Sequence, residues 1–317
     1  MSETTPTTTT TPTTGTDFEK KRKKHVSERA RAERRLGFML VTPAAIVMLA
    51  VTAYPILYAV WLSLQRSDLR FPDDTEFVGL GNYITVLSSS LWWSDLGRTV
   101  LIMVVSVSIE LVLGMLLALV MHRALVGRGL VRTSSLIPYG IVTVVAAFAW
   151  RLAFSKADGG FVPALFGWET DPLTETWPTI GIAILAEVWK TTPFMALLLL
   201  AGLSLVPDEL HEAARVDGAT AWQRFWRITI PLMKIPILVA LLFRTLDAFR
   251  IFDSIYILSN TGQNRDVETV SILGYNQLLN QLNLGLGSAI SVLIFICVAI
   301  IAVFFIKGFG LQTSGER

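Results

Sequence analysis

The sequence has very few of the residues on which soluble enzymes and metalloproteins depend. A single cysteine, Cys297, lies inside an apolar run, which excludes a disulfide framework and a cysteine-based metal site. The three histidines, at positions 25, 122 and 211, lack the spacing of metal ligands. Neither G-x-x-x-x-G-K-S/T nor G-x-G-x-x-G occurs, so no loop for nucleotide phosphates can be assigned. We therefore predict no metal, no nucleotide cofactor and no catalytic residues in this chain, which leaves little support for an integral-membrane enzyme.

Charged residues are also scarce. Only 16% of the 317 residues are charged whereas 52% are hydrophobic, and the mean hydropathy of +0.55 is typical of membrane proteins. Several apolar stretches approach the roughly 20 residues that cross the hydrocarbon layer of a bilayer. They cover residues 36–61, 99–121, 135–154, 179–205, 233–258 and 287–306. We therefore predict an all-α polytopic membrane protein with six transmembrane helices and both termini on one side.

Basic residues indicate which side that is. Residues 20–35 contain nine Lys or Arg, which we expect to bind anionic lipid headgroups, with a nucleic-acid-binding arm as the alternative. The loops 122–134 and 206–232 each carry three Arg, whereas 155–178 has one Lys and four acidic residues. The positive-inside rule therefore predicts cytoplasmic termini in an inner (cytoplasmic) membrane. The segments predicted outside, long enough to meet an external partner, are 65–98, 155–178 and 259–284.

We predict that the chain has three parts. Residues 1–35 combine a Thr/Pro-rich tail, which has too few apolar groups to fold, with the basic cytoplasmic anchor. Residues 36–306 form a six-helix transmembrane domain that contains the cytoplasmic helices of 206–232. Residues 307–317 form a cytoplasmic tail.

The longest polar segment between two apolar runs has clear internal order. Pro207 suits the first position of a helix, and Gly218 suits a left-handed cap at its end. Thr220-Ala-Trp-Gln223 has the form of a capping box that starts a second helix. The pattern predicts two short helices at an angle, with Pro231 and Pro236 closing the second one.

The spacing within this segment resembles the coupling motif of bacterial ABC importer permeases. In that motif Glu-Ala-Ala is followed by Asp-Gly-Ala and, ten residues after the Gly, by Ile-x-Leu-Pro; Ile230 stands here where the family has Leu. The resemblance implies that the segment docks onto an ATPase subunit. From the residues alone, an amphipathic helical hairpin on the membrane surface is the alternative. The matching positions are Glu212, Ala213, Ala214, Asp217, Gly218, Ala219, Ile228 and Pro231.

Motifs from about Leu36 to Lys307 are similar to those of maltose/trehalose-type carbohydrate permeases. They include Phe77-Val-Gly-Leu-Gly-Asn-Tyr83, Glu187-Val-Trp-Lys190 and Phe249-Arg-Ile-Phe-Asp253. The resemblance implies a type I ABC importer permease fold and a disaccharide solute, trehalose. It also implies a heterodimer with a second sugar permease, two ATPase subunits that hold ATP and Mg, and an external sugar-binding lipoprotein. No nucleic-acid partner is implied.

Charged residues inside predicted spans need a reason, since each costs at least about 2.5–3.5 kcal/mol when unpartnered. Arg244, Asp247, Arg250 and Asp253 recur every three residues, which predicts one alternating row on a helix. Nearby aromatic rings offer faces on which sugar rings stack. The alternative is that these charges only fix helix packing or contact the second permease. The predicted solute pathway comprises Glu187, Trp189, Lys190, Arg244, Asp247, Phe249, Arg250, Asp253 and Tyr256, with Glu110 as a further charge at membrane depth.

The same intramembrane acids would also suit a secondary transporter driven by an ion gradient. Such carriers usually contain inverted repeats and need no cytoplasmic docking helices. The sequence shows no internal repeat and does contain the docking pattern. Co-purification with ATPase subunits distinguishes the two hypotheses.

Overall fold

The computed structural model describes residues 28–123, 128–259 and 265–313. The predicted tail, most of the basic anchor and the four residues at the centre of the 122–134 loop lie outside the described residues. So do the Arg side chains on which that loop's orientation depends. The chain divides into two compact units, Met1–Pro55 and Ile56–Arg317. The first unit is described only as the initial part of helix α1, and the second contains all other elements.

Helices form nearly all of the described structure, and the single sheet assigned there is a two-stranded hairpin. In chain order the elements are α1 (Glu28–Ser63), β1 (Gln65–Arg66), β2 (Glu76–Phe77), α2 (Gly81–Ser88), α3 (Ser90–Arg123), α4 (Arg128–Gly140), α5 (Thr143–Phe154), α6 (Phe161–Phe166), α7 (Thr176–Leu203), α8 (Asp208–Val216), α9 (Ala221–Arg224), α10 (Ile230–Leu232), α11 (Lys234–Ala248), α12 (Asp253–Leu258), α13 (Val270–Tyr275) and α14 (Leu284–Thr313). Pro172–Thr174 and Arg265–Val267 form 3-10 turns, and Phe225–Thr229 and Asn276–Asn280 form π-helical turns.

Four of the predicted spans are unbroken helices. Within α1, α3, α7 and α14 the apolar parts cover residues 36–63, 90–122, 176–203 and 284–308, each long enough to cross a membrane. Two bent helix pairs raise the number of candidate spans in the described chain to at most six. The first pair, Thr133–Gly140 with Thr143–Phe154, contains the predicted span 135–154. The second pair joins Ala221–Leu232 to Lys234–Ala248, so it shares only the α11 part with the predicted span 233–258.

The third predicted span, 135–154, is wrong as one helix. It consists of the end of α4 and all of α5, whose axes differ by 88° across a two-residue break. Pro138 lacks the N–H that would continue the helical ladder, and the chain is extended at Val142, with ψ 132°. The proline that marks this span in the sequence therefore lies directly before its bend.

The fifth predicted span, 233–258, is also interrupted. Helix α11 ends at Ala248, and α12 begins at Asp253. The two are separate helices because Phe252, with φ −135° and ψ −64°, lies outside the helical region. The hydroxyl of Thr269 donates to the carbonyl oxygen of Ile251 at 3.2 Å, which satisfies a backbone group that the break exposes. The break, residues 249–252, separates the predicted row of alternating charges into two parts.

The second unit is held together chiefly by α3 and α7. Gly114 of α3 permits this close approach, since a Cβ there would lie 2.7 Å from Cγ of Met195 on α7. Gly202 of α7 likewise permits a close approach to α11, since a Cβ there would clash with Cβ of Pro236. The core between these helices includes Met195, Leu199, Ala240 and Phe249.

The connection between α1 and α2 forms a small ordered structure. Strands β1 and β2 pair antiparallel, with Gln65 opposite Phe77 and Arg66 opposite Glu76. The amide of Asn82 donates to the carbonyl oxygens of Ser63 and Gln65 at 2.9 and 2.8 Å. These bonds tie the end of α1, the hairpin and α2 into one structure.

Candidate functional site

The polar segment after α7 forms the two short helices that the sequence predicts, although Pro207 lies just before the first helical residue, Asp208, and does not occupy that position. Helix α8 ends at Val216, and Gly218 takes φ +79°, a left-handed conformation that glycine adopts without strain. Thr220 accepts a hydrogen bond from the backbone N–H of Gln223 at 3.3 Å, and Gln223 accepts one from the N–H of Thr220 at 2.8 Å. The predicted capping box is therefore confirmed.

The prediction for the two prolines is wrong. Pro231 does not end the second helix, because the helical path continues from α9 through the π turn and α10 as far as Leu232. Pro236 lies in the first turn of α11, where its missing N–H removes no helical bond. The direction of the chain instead changes by 69° between the Ala221–Leu232 and Lys234–Ala248 segments.

The two helices present an open surface. Helix α8 buries none of its residues, and the coupling-motif residues Glu212, Ala213, Asp217, Gly218 and Pro231 are exposed. The other motif residues, Ala214, Ala219 and Ile228, are half-buried. Large apolar side chains also remain exposed on this surface, including Val216 at 88% and Trp222 at 70%. Exposed apolar side chains beside a polar helix are typical of a docking surface.

A cavity of about 470 Å³ lies beneath this surface. It is bounded by the last turns of α3 and α7 and by α8 and α9. Phe225 packs against Trp222 and Trp226 at centroid distances of 6.2 and 5.4 Å, which makes the second short helix a compact aromatic unit. The surface of α8 and α9, our candidate docking surface, therefore borders a cavity that the ends of α3 and α7 also line.

A second group of polar residues meets inside the membrane-spanning helices. Arg244 of α11 is 1% exposed and bonds to both carboxylate oxygens of Glu110 on α3, with Nη2 to Oε1 at 2.9 Å. Its Nη2 also donates to Oε1 of Glu187 on α7 at 2.9 Å. Its Nη1 donates to Oδ2 of Asp247 at 2.7 Å. We call Glu110, Glu187, Arg244 and Asp247 the arginine network.

Two hydroxyl groups complete this network. Thr191 donates to Oε1 of Glu110 at 2.8 Å, and Ser254 donates to Oε2 of Glu187 at 3.3 Å. Ser254 is in α12, so the network joins α3, α7 and α11 to the far side of the 249–252 break. A charged side chain within the membrane is stable only when it is paired and hydrogen-bonded in this way.

A cavity of about 410 Å³ lies next to the arginine network. Five of the residues predicted for the solute pathway line it: Glu187, Lys190, Asp247, Arg250 and Asp253. The remaining wall is largely hydroxyl and aromatic and includes Tyr139, Thr143, Thr191, Phe252 and Ser254. Lys190 approaches one of these aromatic walls, with its Nζ 5.7 Å from the ring centroid of Tyr139.

The structure places the other predicted pathway residues away from this lining. Arg244 and Phe249 are buried at 1% and 2% exposure, and Phe249 belongs to the hydrophobic core. Trp189 is exposed and makes an edge contact with Trp150 at 6.0 Å. Tyr256 packs against Phe252 and Tyr275 at 5.1 and 5.3 Å. A role of these four residues in solute passage stays a prediction.

The predicted row of alternating charges is wrong as a continuous helical row. Arg244 and Asp247 share α11 and form an ion pair, but Arg250 lies in the break and Asp253 begins α12. The charge that partners Arg244 comes instead from two other spans, as Glu110 and Glu187. Spacing along one helix gave no information about these pairings between helices.

Several polar residues of this region were not predicted from the sequence. Tyr139, Thr143, Thr191 and Ser254 carry no charge, so they did not stand out within apolar runs. For two of them the sequence held a usable signal, which is the residue just before them. Tyr139 follows Pro138, and Ser254 follows the charged Asp253. Residues next to helix breaks in a membrane are often those that face a cavity.

Comparison with known proteins identifies the family. The family model described as "Binding-protein-dependent transport system inner membrane component" matches residues 79–311, which is most of the chain. The chain is 60% identical over 284 residues to "Trehalose transport system permease protein SugA" of Mycobacterium tuberculosis, which covers 90% of this chain and 92% of that protein. It is 39% identical over 282 residues to "Trehalose/maltose transport system permease protein MalF" of Thermococcus litoralis, covering 87% and 94%.

A solved structure has the same fold. The chain matches a subunit in the "Crystal structure of a bacterial ABC transporter involved in the import of the acidic polysaccharide alginate", with a TM-score of 0.74, 22% identity and coverage of 88% and 96%. This likeness establishes the fold and carries no information on the solute. The predicted all-α type I ABC importer permease fold is confirmed. The chain belongs to the family of binding-protein-dependent transport system inner membrane components and is a membrane-embedded permease subunit of an ABC importer.

Proposed function

We propose that this permease subunit imports trehalose. The observation that carries the proposal is the 60% identity, over nine-tenths of the chain, to a trehalose transport system permease. A second relative, at 39% identity, is a trehalose/maltose permease. Family membership removes the support for the alternative of a secondary transporter driven by an ion gradient.

The charges around the 410 Å³ cavity support a neutral solute. Glu110 is fully buried, and Glu187 is only 10% exposed and engaged by Arg244 and Ser254. Counted together, the charges at and beside the cavity nearly cancel, with three positive, Lys190, Arg244 and Arg250, and four negative, Glu110, Glu187, Asp247 and Asp253. A strongly charged solute would therefore find no uncompensated partner, whereas a polyhydroxylated sugar would find donors, acceptors and an aromatic wall. The cavity volume falls within the roughly 300–1,000 Å³ typical of small-molecule sites.

Weak contacts in this cavity would suit transport. A site that held the sugar tightly at the middle of the membrane would slow its release. High affinity is therefore expected in an external sugar-binding lipoprotein, and this cavity acts as a second, looser filter. A related alginate importer has been solved in complex with a "periplasmic protein", which supports a partner of this kind.

The exposed surface of α8 and α9 is the proposed docking site for an ATPase subunit. Glu212, the small Ala213 and Ala214, and the turn at Gly218 would place α8 in a groove of that subunit, as amphipathic helices do in other complexes. Each ATPase subunit, which holds ATP and Mg, needs one such docking element. Because this chain has one, a second permease must supply the element for the second ATPase subunit.

Contact with a cytoplasmic ATPase also places α8 in the cytoplasm. The positive-inside rule assigns both termini to that same side.

The test is purification of this chain from its native membrane followed by uptake measurements. We expect two ATPase subunits and a second permease to co-purify, and labelled trehalose to enter proteoliposomes faster than maltose or a phosphorylated sugar. Asp247→Ala and Arg250→Ala should each lower the uptake rate without changing sugar capture by the isolated binding protein. Preferred uptake of the phosphorylated sugar, or a complex without ATPase subunits, would contradict the proposal.

A further inference from the structure

Arg244 has the residue type of a sugar-binding group but not the accessibility of one. Its side chain is 1% exposed, and its guanidinium donates to three carboxylates at once. Nε and Nη2 hold Glu110, Nη2 also holds Glu187, and Nη1 holds Asp247. A solute in the 410 Å³ cavity therefore meets the partners of Arg244 and not Arg244 itself.

Asp247 is the member of the arginine network that reaches the cavity most openly. Its side chain is 66% exposed, compared with 0% for Glu110 and 10% for Glu187. Oδ2 accepts the 2.7 Å bond from Arg244, and no donor among the described residues reaches Oδ1. One carboxylate oxygen is thus held by the protein while the other is open to a donor from a solute.

The two glutamates give this arrangement its rigidity. The bidentate contact with Glu110 fixes the plane of the guanidinium, because the two parallel N–H groups must face the two carboxylate oxygens. Glu187 fixes the same plane from α7 and is itself held by Ser254. Nη1 therefore points in one direction and restrains the position of Oδ2 of Asp247.

We propose that Asp247 accepts a hydrogen bond from a sugar hydroxyl and that Arg244, held by Glu110 and Glu187, is the positioning residue that orients it. This proposal rests on the proposed function and names the contact that distinguishes a sugar from its deoxy analogue. A polar group placed to bind a substrate hydroxyl rejects the analogue that lacks the hydroxyl, because the group is then left unpaired. The Arg244 network thereby acts on specificity without touching the solute.

Lysine cannot replace arginine in this role. It keeps the positive charge, but its ammonium group lacks the planar fork that binds Glu110 through two bonds while binding Asp247 through a third. Arg244→Lys should therefore leave Asp247 free to change orientation. Glu110→Gln should weaken the two-bond contact with the Arg244 guanidinium, because an amide has only one oxygen to accept from it. It provides a second variant if Arg244→Lys fails to assemble.

The experiment compares uptake of trehalose with uptake of each mono-deoxy trehalose into proteoliposomes. They contain the complete importer with binding protein preloaded at saturating concentration. The parent should transport trehalose about tenfold faster than at least one deoxy analogue, the ratio expected from one charge-assisted hydrogen bond. Asp247→Ala, Arg244→Lys and Glu110→Gln should each move that ratio towards one. Because all variants use the same binding protein, a change in the ratio belongs to the permease.

The matched control is Arg98→Lys. Arg98 pairs with buried Asp95 at 2.9 Å with the same three-residue separation as Asp247 and Arg244, but neither residue lines the cavity. This variant should leave the ratio unchanged. A network that is only structural would lower uptake of all sugars equally and leave every ratio at the parent value, which would overturn the proposal. A changed ratio in Asp247→Ala alone would overturn the role of Arg244. A parent complex that does not transport trehalose would instead refute the proposed function.

Discussion

Arg244 and Glu110, which are 134 residues apart in the sequence, are joined by two hydrogen bonds within the membrane-spanning part of the protein. The bonds connect α11, which follows the candidate docking surface directly, to α3, whose last turn contributes to the cavity beneath that surface. Glu187 adds α7 to the same contact. If α8 and α9 dock onto an ATPase as proposed, the arginine network links the helices through which their movement would reach the 410 Å³ cavity.

The first prediction concerns the stability of this network. Glu110→Ala should destabilise the folded permease by about 1.5–3 kcal/mol, because it removes the two charge-assisted hydrogen bonds from Arg244 while Glu187 and Asp247 still partner that residue. Glu76→Ala is the control, since Glu76 forms an exposed pair with Arg66 that should contribute less than about 1 kcal/mol. Thermal unfolding of the purified complexes measures both effects. Equal melting temperatures for the two variants would contradict the importance of the buried pair.

The second prediction concerns coupling. Gly218→Asp should still assemble, because a Cβ at this position meets no atom within 4 Å and the left-handed conformation costs Asp only about 1–2 kcal/mol. It should nevertheless abolish sugar-stimulated ATP hydrolysis, since it adds charge and bulk to the proposed docking surface. Glu212→Ala should have the same effect.

The chain provides a closely matched control for this glycine. Gly159 also has φ +79° and open space around it, but it lies in the 155–178 loop, which we predict to be external. Gly159→Asp should therefore retain sugar-stimulated hydrolysis. Loss of hydrolysis in both variants would show that the effect comes from the backbone and not from the docking surface.

The third prediction is the orientation of the chain. Reporter fusions at Thr220 and at Gly127, which lies outside the described residues, should report a cytoplasmic position. Fusions at Asp73 and Glu169 should report an external one. An external signal at Thr220 would exclude contact between α8 and a cytoplasmic ATPase.

The fourth prediction concerns pH. Burial raises the pKa of Glu268 above its ordinary value of 4.5, and the neighbouring Arg265 and Arg98 only partly oppose this. A carboxyl with a raised pKa in the folded state contributes stability below its ordinary pKa, and this contribution is lost as pH rises through the folded pKa. Glu268→Gln should therefore raise Tm relative to the parent more at about pH 8 than at about pH 5. An equal difference in Tm at both pH values would contradict this assignment.

Much of the fold could be predicted because its signals are local. Apolar length identified four unbroken spans, and the Gly218 turn and the Thr220 capping box follow from residues close in sequence. The bend after Pro138 and the break after Ala248 were not predicted. Hydropathy averages over a window, so it does not register where a helical ladder is interrupted and other groups, such as Thr269, satisfy the backbone.

The candidate solute site was predictable in its residue types but not in its geometry. Charge at membrane depth identified Glu187, Arg244 and Asp247 because such residues are costly there. Which charges pair depends on packing between helices far apart in sequence, so the burial of Arg244 and the openness of Asp247 could not be read from their spacing. Thr191 and Ser254 remained unnoticed because a hydroxyl is inexpensive within an apolar helix.

Coupled import is tested most directly by ATP-driven uptake of labelled trehalose by the complete importer in proteoliposomes, measured for the parent and for Gly218→Asp. The parent should accumulate trehalose only when ATP and the binding protein are both present. Gly218→Asp, assembled to the same extent, should accumulate none. Accumulation of trehalose by the parent without ATP, or normal accumulation by Gly218→Asp, would contradict coupling through α8 and α9.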